Sequence, residues 1–521
     1  MLLRILKSFY KCGVADIRYT KLELMRIGLK KIGNLVWKRH INMYNNKLLL
    51  CMFTFVFIPF YVEAFTESEL NELKGLNIPL FIIETTDGVN PSCEYISPPE
   101  GCIGETIQNN EYVTGSLIVI LENDTVYNSG RYVENKGGMK LKIRGNTSAY
   151  TAYPPYKLKL EKKENLFFLH EKPKEKEYVL LRTASSNRLN PFLGNKVGEL
   201  LGADWQPKSQ FVNIILNNEY RGLYLLSDVI KKGKSHCDIS ASGYLMENDA
   251  YWWADEGKTF QGNYLARSLG YTFKYPETLS NEEFDYIKNY VISFEEDLYA
   301  GKPVTKWIDY ESFAIWVLAH DLLGSVDGAG SNIYITKYDN TENSKLRMGP
   351  LWDFDGIFQE ENLSSIHFST GCFYYPKLFK LQEFCGIYSR KWQEIRNVLY
   401  DDIMSMTDSI VSNYGTAIDL SRDYTRRICG VNSPSIESNV TEISEWFSER
   451  ISLIDELSVD VGITAEEPIC EEMRIYDFSG RLLNVVSVDF CIEKLQLSPG
   501  LYIMCFYNNN NIVGRNKIVI Y

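Results

Sequence analysis

Three aspartates and one asparagine in the second half of the chain have the residue types of a cation site. Asp327 opens the glycine-rich segment 327–331, Asn332 follows it, and Asp353 and Asp355 lie further along the chain. Glycine lets the backbone approach a ligand closely. In a strand, Asp353 and Asp355 would point to the same face. Because hard divalent cations prefer carboxylate and amide oxygens, the pattern predicts an oxygen-lined cation site.

The spacing of these residues is also that of phosphoryl-transfer sites. In protein kinases an Asp accepts the proton of the substrate hydroxyl, an Asn five residues later holds magnesium, and a further Asp in Asp-Phe-Gly binds the metal. Asp327 and Asn332 have this spacing, and Asp353 begins Asp353-Phe-Asp-Gly356. Upstream, Lys157 and Lys159 share one face of a predicted strand. Either lysine could contact phosphates.

Each feature also has a simpler explanation. An Asp and an Asn five residues apart occur by chance in most chains, and Asp327 with the next glycine can form a turn. Alternating lysines are common on the solvent side of a half-buried sheet. The order of the set, Lys, then Asp with Asn, then Asp, favours the chemical interpretation. Alternatively, Asp327 and Asp353 could be the carboxylates of a glycosidase, which predicts carboxyl groups about 5–10 Å apart.

The composition is that of a large globular protein with an acidic body. The chain has 521 residues, of which 45% are hydrophobic and 13% aromatic, so its length predicts two to four domains. The net charge is -12, but residues 1–42 carry ten Lys and Arg against two acids, which leaves -20 for the rest. We therefore expect no nucleic-acid binding through a broad basic face. The scattered histidines and the lack of Cys-x-x-Cys argue against a common zinc site.

The region 43–64 has the three parts of a secretory signal: a positive start, a short apolar run at 48–62 and a small-residue cleavage site. We therefore predict a signal peptide at 43–64, a mis-assigned start at 1–42 and no stable transmembrane anchor. The alternative is a membrane-anchored protein with a basic cytoplasmic tail. Export would permit disulfides, and Cys93 with Cys102 could close a small loop.

The periodicity of the mature chain predicts an α+β protein. Short apolar runs indicate an N-terminal β region at 65–135, and alternating strands continue from 136 to 230, including a hairpin at 211–226. The second half is more helical up to residue 460, and 466–521 returns to a β pattern, which indicates a small separate domain. The predicted helices cover 190–202, 281–299, 310–323 and much of 375–460.

From about residue 117 to 446 the chain resembles the spore coat protein H (CotH) kinase family. The resemblance rests on eight elements that occur in order. They are Lys142-Ile-Arg-Gly-Asn-Thr147, Pro155-Tyr-Lys-Leu-Lys-Leu160, Leu189-Asn-Pro-Phe-Leu193, Leu216-Asn-Asn-Glu-Tyr-Arg-Gly-Leu-Tyr-Leu225, Gly243-Tyr-Leu-Met-Glu-Asn-Asp249, Phe273-Lys-Tyr-Pro276, Asp327 with Asn332, and Met348-Gly-Pro-Leu-Trp-Asp-Phe-Asp355.

The resemblance implies an atypical protein-kinase-like domain at 136–460, with a β-rich N-lobe and a helical C-lobe. It also implies transfer of phosphate from ATP to protein Ser or Thr with Mg²⁺, Mn²⁺ being an alternative metal. Asp327 would be the catalytic base, Asn332 a supporting metal residue, Asp353 the principal metal ligand and Asp355 a second one.

The same resemblance implies a phosphate-binding group. Lys157 or Lys159 would contact the phosphates of ATP, Glu247 would form an ion pair with that lysine, and Arg144 would be a further phosphate contact. A departure from the family pattern occurs at Ser185-Ser-Asn-Arg188, where relatives usually show an Asp-Arg pair.

The tail, 466–521, resembles a C-terminal sorting domain of the type IX secretion system, which is typical of Bacteroidetes and similar to a small β-sandwich. This implies a secreted or cell-surface protein that the type IX machinery exports. The alternative for the tail is an Ig-like adhesive domain. The alternative for the whole chain is a non-catalytic surface module that binds glycans or protein, with Trp252 and Trp253 as candidate contacts.

Overall fold

The computed structural model describes most of the chain from residue 65 onward. The predicted signal peptide at 43–64, the segment 1–42 and Asp327 lie outside the described residues. Within the described part, no helix combines the length and apolar character needed to cross a membrane. The described residues are 65–104, 106–108, 111–151, 153–183, 187–265, 269–325, 332–358, 366, 373–461, 472–477, 482–486, 500–508 and 511–520.

Ten strands form the first half of the fold. They are β1 Leu80–Thr85, β2 Glu94–Ile96, β3 Thr106–Gln108, β4 Val113–Leu121, β5 Asp124–Asn128, β6 Met139–Ile143, β7 Tyr156–Glu164, β8 Glu175–Arg182, β9 Ser209–Leu216 and β10 Glu219–Asp228. Seven of them close into a barrel in the order β1-β9-β10-β8-β7-β6-β4, because β4 also pairs with β1. The β1–β9 pair is parallel, and the other pairs of the barrel are antiparallel.

Alternation along β6 and β7 decides which side chains fill the barrel. Leu141 on β6 and Leu158 and Leu160 on β7 are buried in its interior. Lys157 and Lys159 lie on the opposite face of β7, because successive strand residues point to opposite sides. The prediction that the two lysines share one face is confirmed.

The predicted hairpin at 211–226 is confirmed as β9 and β10. Its turn consists of Asn217 and Asn218, whose φ angles are 50° and 64°. A two-residue hairpin of the kind that follows strand twist needs positive φ at both positions, which asparagine tolerates better than most residues.

A second sheet and eight helices complete the described body. The sheet has the order β12-β11-β13-β14 with antiparallel pairs. Its strands are β11 Tyr244–Asp249, β12 Gly270–Tyr275, β13 Ile333–Lys337 and β14 Leu346–Met348. The helices are α1 Glu67–Lys74, α2 Asn190–Leu201, α3 Asn281–Tyr299, α4 Tyr310–Leu323, α5 Tyr375–Leu378, α6 Gln382–Ile395, α7 Leu399–Cys429 and α8 Ile436–Val461.

Local sequence explains where the predicted helices begin and end. Ser280 caps α3 in a capping box with Glu283, and the Asp309 carboxylate accepts a hydrogen bond from Ser312 N at 2.8 Å to cap α4. Gly202 and Gly324, with φ of 85° and 59°, end α2 and α4 in the left-handed conformation. The predictions of helices at 190–202, 281–299 and 310–323 are confirmed.

Helix α4 is the centre of the helical region. All of its residues except Glu311 are buried, and it packs against α2, α6, α8 and β14. Asp321, which could look catalytic by composition, instead holds the helices together. Its carboxylate accepts a hydrogen bond from Tyr388 Oη at 3.1 Å, and its backbone carbonyl accepts one from Arg450 Nε at 2.6 Å.

Helix α7 is bound to the barrel through buried polar contacts. Asn213 Nδ2 donates to Ser421 Oγ at 2.9 Å, and the backbone N–H of Leu223 donates to Thr425 Oγ1 at 2.9 Å. Buried polar groups are costly unless paired. These contacts therefore determine the position of α7 along β9 and β10.

The described tail residues form one antiparallel sheet in the order β16-β15-β17-β18. Its strands are β15 Glu472–Asp477, β16 Leu482–Val486, β17 Gly500–Asn508 and β18 Asn511–Ile520. The prediction of β structure in the tail is confirmed, whereas the second layer of a sandwich stays a prediction.

The fold class is mixed α+β, as predicted. The closed barrel was not predicted from the sequence, and the arrangement in two kinase-like lobes stays a prediction. Cys93 and Cys102 are both free thiols, so the small loop closed by a disulfide between them is not formed.

Candidate functional site

Asn332 and Asp353 meet at the end of the second sheet. Asn332 Nδ2 donates to Asp353 Oδ2 at 3.2 Å. Both residues have positive φ, 63° and 62°. An aspartate in this conformation is uncommon, and such residues concentrate at ligand sites where the surroundings enforce the geometry. Two residues that the sequence analysis assigned to one site are therefore in direct contact.

Helix α2 supports the segment that carries the two aspartates. Asn190 Nδ2, at the start of the helix, donates to the carbonyl oxygen of Phe354 at 3.0 Å. The Phe354 ring is buried against the backbone of Gly194, where a Cβ atom would overlap it. Because Phe354 lies between Asp353 and Asp355 in the sequence, this packing fixes the backbone positions from which both aspartate side chains extend.

A cleft lies between the barrel and this segment. Arg144, at the end of β6, shares its lining with Asp353 and Asp355. The Arg144 guanidinium lies over the Trp352 ring, 5.7 Å from its centroid, an arrangement that a cation–π attraction favours. The cleft is also lined by Ser148, Pro155, Leu181, Arg182, Pro191, Asn195, Pro207, Ser209, Ser227, Trp352 and Phe354.

The second sheet packs against the barrel beside Arg144. Trp352 and Tyr334 cluster with Val179, which lies on the outer face of β8. Burial raises the pKa of Tyr334 well above its ordinary value, and the nearby charge of Glu247 raises it further, while Arg144 opposes this. Glu247 lies opposite Tyr334 in the β11–β13 pair. Arg144 and Glu247 therefore approach the same buried phenol.

Lys157 and Lys159 form ion pairs with Glu177 on β8, at 3.4 and 2.9 Å. Burial opposes ionisation of Glu177, but the hydrogen bonds and charges of the two lysines outweigh it and hold the Glu177 pKa below its ordinary value. Lys142 lies directly opposite Lys157, and burial together with the Lys157 charge lowers the Lys142 pKa. Lys157 also lies opposite Val179, so it borders the cluster beside Arg144.

Glu247 pairs with Lys274 of β12, at 2.7 Å. The predicted ion pair between Glu247 and Lys157 or Lys159 is therefore corrected. The physical reason is that β11 and β12 are adjacent strands. The register shifts between Leu245 and Met246, so Lys274 is the extra residue of a bulge in β12 close to Glu247. The Glu247 charge is the main cause of a raised Lys274 pKa.

The sequence analysis missed four residues that shape the site: Asn190, Gly194, Lys274 and Tyr334. A signal existed for Lys274, Asn190 and Gly194. Lys274 lies in the family-like segment Phe273-Lys-Tyr-Pro276, and Asn190 and Gly194 lie in or next to Leu189-Asn-Pro-Phe-Leu193. No chemistry or packing was assigned to them because their partners are distant in sequence.

The residues around Asp353 fit a magnesium ion in donor chemistry. Asp353 and Asp355 both line one cleft, and the Asn332 side chain contacts Asp353. Within the described residues no group of three His, Cys, Asp or Glu could hold a metal. Two carboxylates suffice for Mg²⁺, which usually keeps waters and binds substrate phosphates as its other ligands.

Arg188, the last residue of the segment that departs from the family pattern, has a structural role. It is buried and donates to the carbonyl of Pro434 at 2.7 Å and to Asn439 Oδ1 at 3.4 Å. Burial lowers its pKa to about 10, so the guanidinium stays charged at neutral pH. It thus joins the start of α2 to the segment that begins α8.

A model of the family described as CotH kinase protein matches residues 141–454. The chain belongs to the CotH kinase family. No protein in the curated set matches it. The matched region contains the second sheet, α2 to α7 and all the described candidate residues, from Arg144 to Asp355. Membership of the CotH kinase family suggests a kinase-like function.

We predict that Gly194→Ala destabilises this CotH family member by about 1–3 kcal/mol, because the added methyl group must displace the Phe354 ring. Urea denaturation would measure the free energy of unfolding. Gly386→Ala is the matched control, since a Cβ at this helical position meets no described atom within 4 Å. The control should stabilise by about 0.5–1 kcal/mol. Equal effects of the two substitutions would contradict the packing argument.

We predict that Lys274→Met lowers the free energy of unfolding by about 1–3 kcal/mol, because it leaves the buried Glu247 carboxylate without its partner. Lys159→Met is the control: Lys159 is 41% exposed and Glu177 keeps Lys157, so the change should stay within about 1 kcal/mol. Adding Glu247→Met to Lys274→Met should recover part of the loss. If Lys274→Met lowered the free energy of unfolding no more than the control does, the Glu247–Lys274 ion pair would not contribute to stability as predicted.

Proposed function

We propose that this CotH family member is an atypical protein kinase that transfers a phosphoryl group from ATP to Ser or Thr hydroxyls of protein, with Mg²⁺ or Mn²⁺. The observation that carries the proposal is the cleft where Asp353, Asp355 and Arg144 converge beside Asn332. Phosphoryl transfer needs positioning and charge neutralisation more than covalent help from the protein. Two carboxylates for a metal and a guanidinium for phosphate are suited to that need.

Each residue would have a distinct part in the reaction. Asp353 and Asp355, with Asn332, would hold the Mg²⁺ ion, which when bound neutralises charge on the phosphates. Arg144 would bind a phosphate through its planar set of donors. Lys157 lies opposite Val179, which packs with Trp352, and would add positive charge there. Both Lys157 and Lys159 form ion pairs with Glu177.

Asp327 would accept the proton of the acceptor hydroxyl as it attacks phosphorus. Asn332 follows Asp327 by five residues in the sequence, and its side chain donates a hydrogen bond to Asp353. This contact supports the proposal, because Asn332 is near Asp327 in the sequence and contacts one of the proposed metal ligands.

We also propose that the protein is exported and acts in the secreted or cell-surface compartment. The support is the signal-like pattern at 43–64 and the sorting-domain-like tail at 466–521, whose described strands form an antiparallel sheet. The type IX secretion machinery and a protein acceptor would be its partners.

The binding-module alternative gains no support from its two tryptophans. Trp252 packs on Gly270, where a Cβ atom would overlap the indole. Trp253 Nε1 donates to the carbonyl of Ile103 at 3.2 Å, and both side chains are partly buried. A stacking platform for sugars needs exposed ring faces, so these residues do not favour glycan recognition.

The test is phosphate incorporation from γ-labelled ATP by the purified full chain, into itself and a panel of secreted proteins, with Mg²⁺ or Mn²⁺. We expect metal-dependent incorporation that Asp327→Asn lowers by about 10²–10⁴-fold, the usual worth of a general base. Asp353→Asn should abolish metal-dependent ATP binding, measured by calorimetry. Asp124→Asn, an exposed position on β5, is the control and should behave as the unaltered chain.

Failure to bind ATP with either metal would overturn the proposal, as would incorporation that both site variants retain. ATP binding without any incorporation would mean that the protein binds the nucleotide but does not transfer phosphate to the proteins in the panel.

A further inference from the structure

A second cavity, of about 220 Å³, lies between the barrel and the helices α2 and α7. It is not the cleft that holds Asp353 and Asp355, although three residues, Asn195, Pro207 and Ser209, line both. Its interior is mainly apolar. The apolar lining includes Ile78, Phe192, Phe211, Met406, Ile410 and Tyr414.

The cavity has the size of a small ring compound. An apolar cavity of about 150 Å³ is large enough to bind benzene. A space of about 220 Å³ therefore accepts a benzene ring with one substituent. It is smaller than the pockets of roughly 300–1,000 Å³ that bind drug-sized ligands.

The walls of the cavity are anchored. Gln210 Nε2 donates to the carbonyl of Leu166 at 2.9 Å, and Gln210 Oε1 accepts from the backbone N–H of Leu169 at 3.3 Å. These bonds attach the wall segment at Leu169 to β9. The Phe192 and Phe211 rings pack with their centroids 5.2 Å apart. The space therefore lies between elements that hydrogen bonds and ring packing hold in place.

The residues that line the cavity carry two positive charges against one negative charge. Lys196 and Lys208 lie there with a single lining carboxylate, Glu199, which is ion-paired to Lys208. Lys196 Nζ lies 3.9 Å from Oδ1 of Asp402, a residue that does not line the cavity. His170 also lines the cavity, and burial lowers its pKa, which favours the neutral imidazole. An anionic group is therefore favoured beside the two lysines.

We propose that this cavity binds a small aromatic carboxylate, with its ring between α2 and α7 and its carboxylate against Lys208 and Lys196. Ring burial would supply affinity in proportion to the apolar area removed from water. The ammonium groups would select for the charged head group through charge-assisted hydrogen bonds. The inference is independent of the proposed kinase reaction.

The test uses benzoate as the probe and benzyl alcohol as its neutral counterpart, titrated into the full chain by ligand-observed NMR. We expect saturable benzoate binding, and benzyl alcohol should bind about tenfold more weakly. Ile410→Trp should abolish benzoate binding by filling the cavity, whereas Ser412→Trp, on the exposed side of the same helix, should not. Lys208→Met should weaken benzoate about tenfold and leave benzyl alcohol unchanged.

Lys208→Met keeps the test decisive if Ile410→Trp fails to fold, which circular dichroism would show. No saturable benzoate binding would overturn the proposal, as would binding that Ile410→Trp retains in the folded state. Equal affinity for the two probes would overturn the carboxylate preference. Asp353→Asn should leave benzoate binding intact, and loss of binding in that variant would instead assign the probe to the cleft.

Discussion

The contact between Phe354 and Gly194 is the constraint on which the candidate site depends. It places a buried ring against a helix backbone at a position where even a methyl group would not fit. Asn190 Nδ2 adds a hydrogen bond to the Phe354 carbonyl at 3.0 Å. Because interiors are close-packed, a ring packed in this way has little freedom to move, and the hydrogen bond fixes the backbone of the same residue. The two aspartates flanking Phe354 therefore start from a backbone that α2 holds in place, and Asn332 contacts one of them from the second sheet.

The closed barrel supplies the opposite wall of the cleft. Leucines of β6 and β7 fill its interior, so the charged residues between them must lie outside. Where the outer face of β8 becomes apolar, at Val179, it packs against Tyr334 and Trp352. Arg144 reaches this junction from the end of β6 and lies over the Trp352 ring. The candidate site therefore lies where the outer face of the barrel changes from charged to apolar residues.

Neighbouring strands decide the ion pairs around the cleft. Lys157 and Lys159 form ion pairs with Glu177 on the adjacent strand, and Glu247 forms an ion pair with Lys274, which lies at a bulge of the adjacent strand. Since Coulomb attraction falls with distance and is screened by water, a partner one strand away outcompetes a remote one. The basic groups that line the cleft with Asp353 and Asp355 are the guanidinium groups of Arg144 and Arg182.

Local sequence patterns were enough to predict the α+β class, the helices at 190–202, 281–299 and 310–323, the hairpin at Asn217 and Asn218, and the grouping of Asn332 with Asp353. These follow from caps, turn residues and periodicity, which act over a few residues, and from motifs with family-like spacing. The closure of the barrel, the pairing of Glu247 with Lys274 and the packing of Phe354 on Gly194 depend on tertiary contacts and were not predicted from the sequence. Each of these features joins residues through strand register or helix packing. Strand register and helix packing cannot be deduced from local patterns, because a shift by one strand position would bring different residues together.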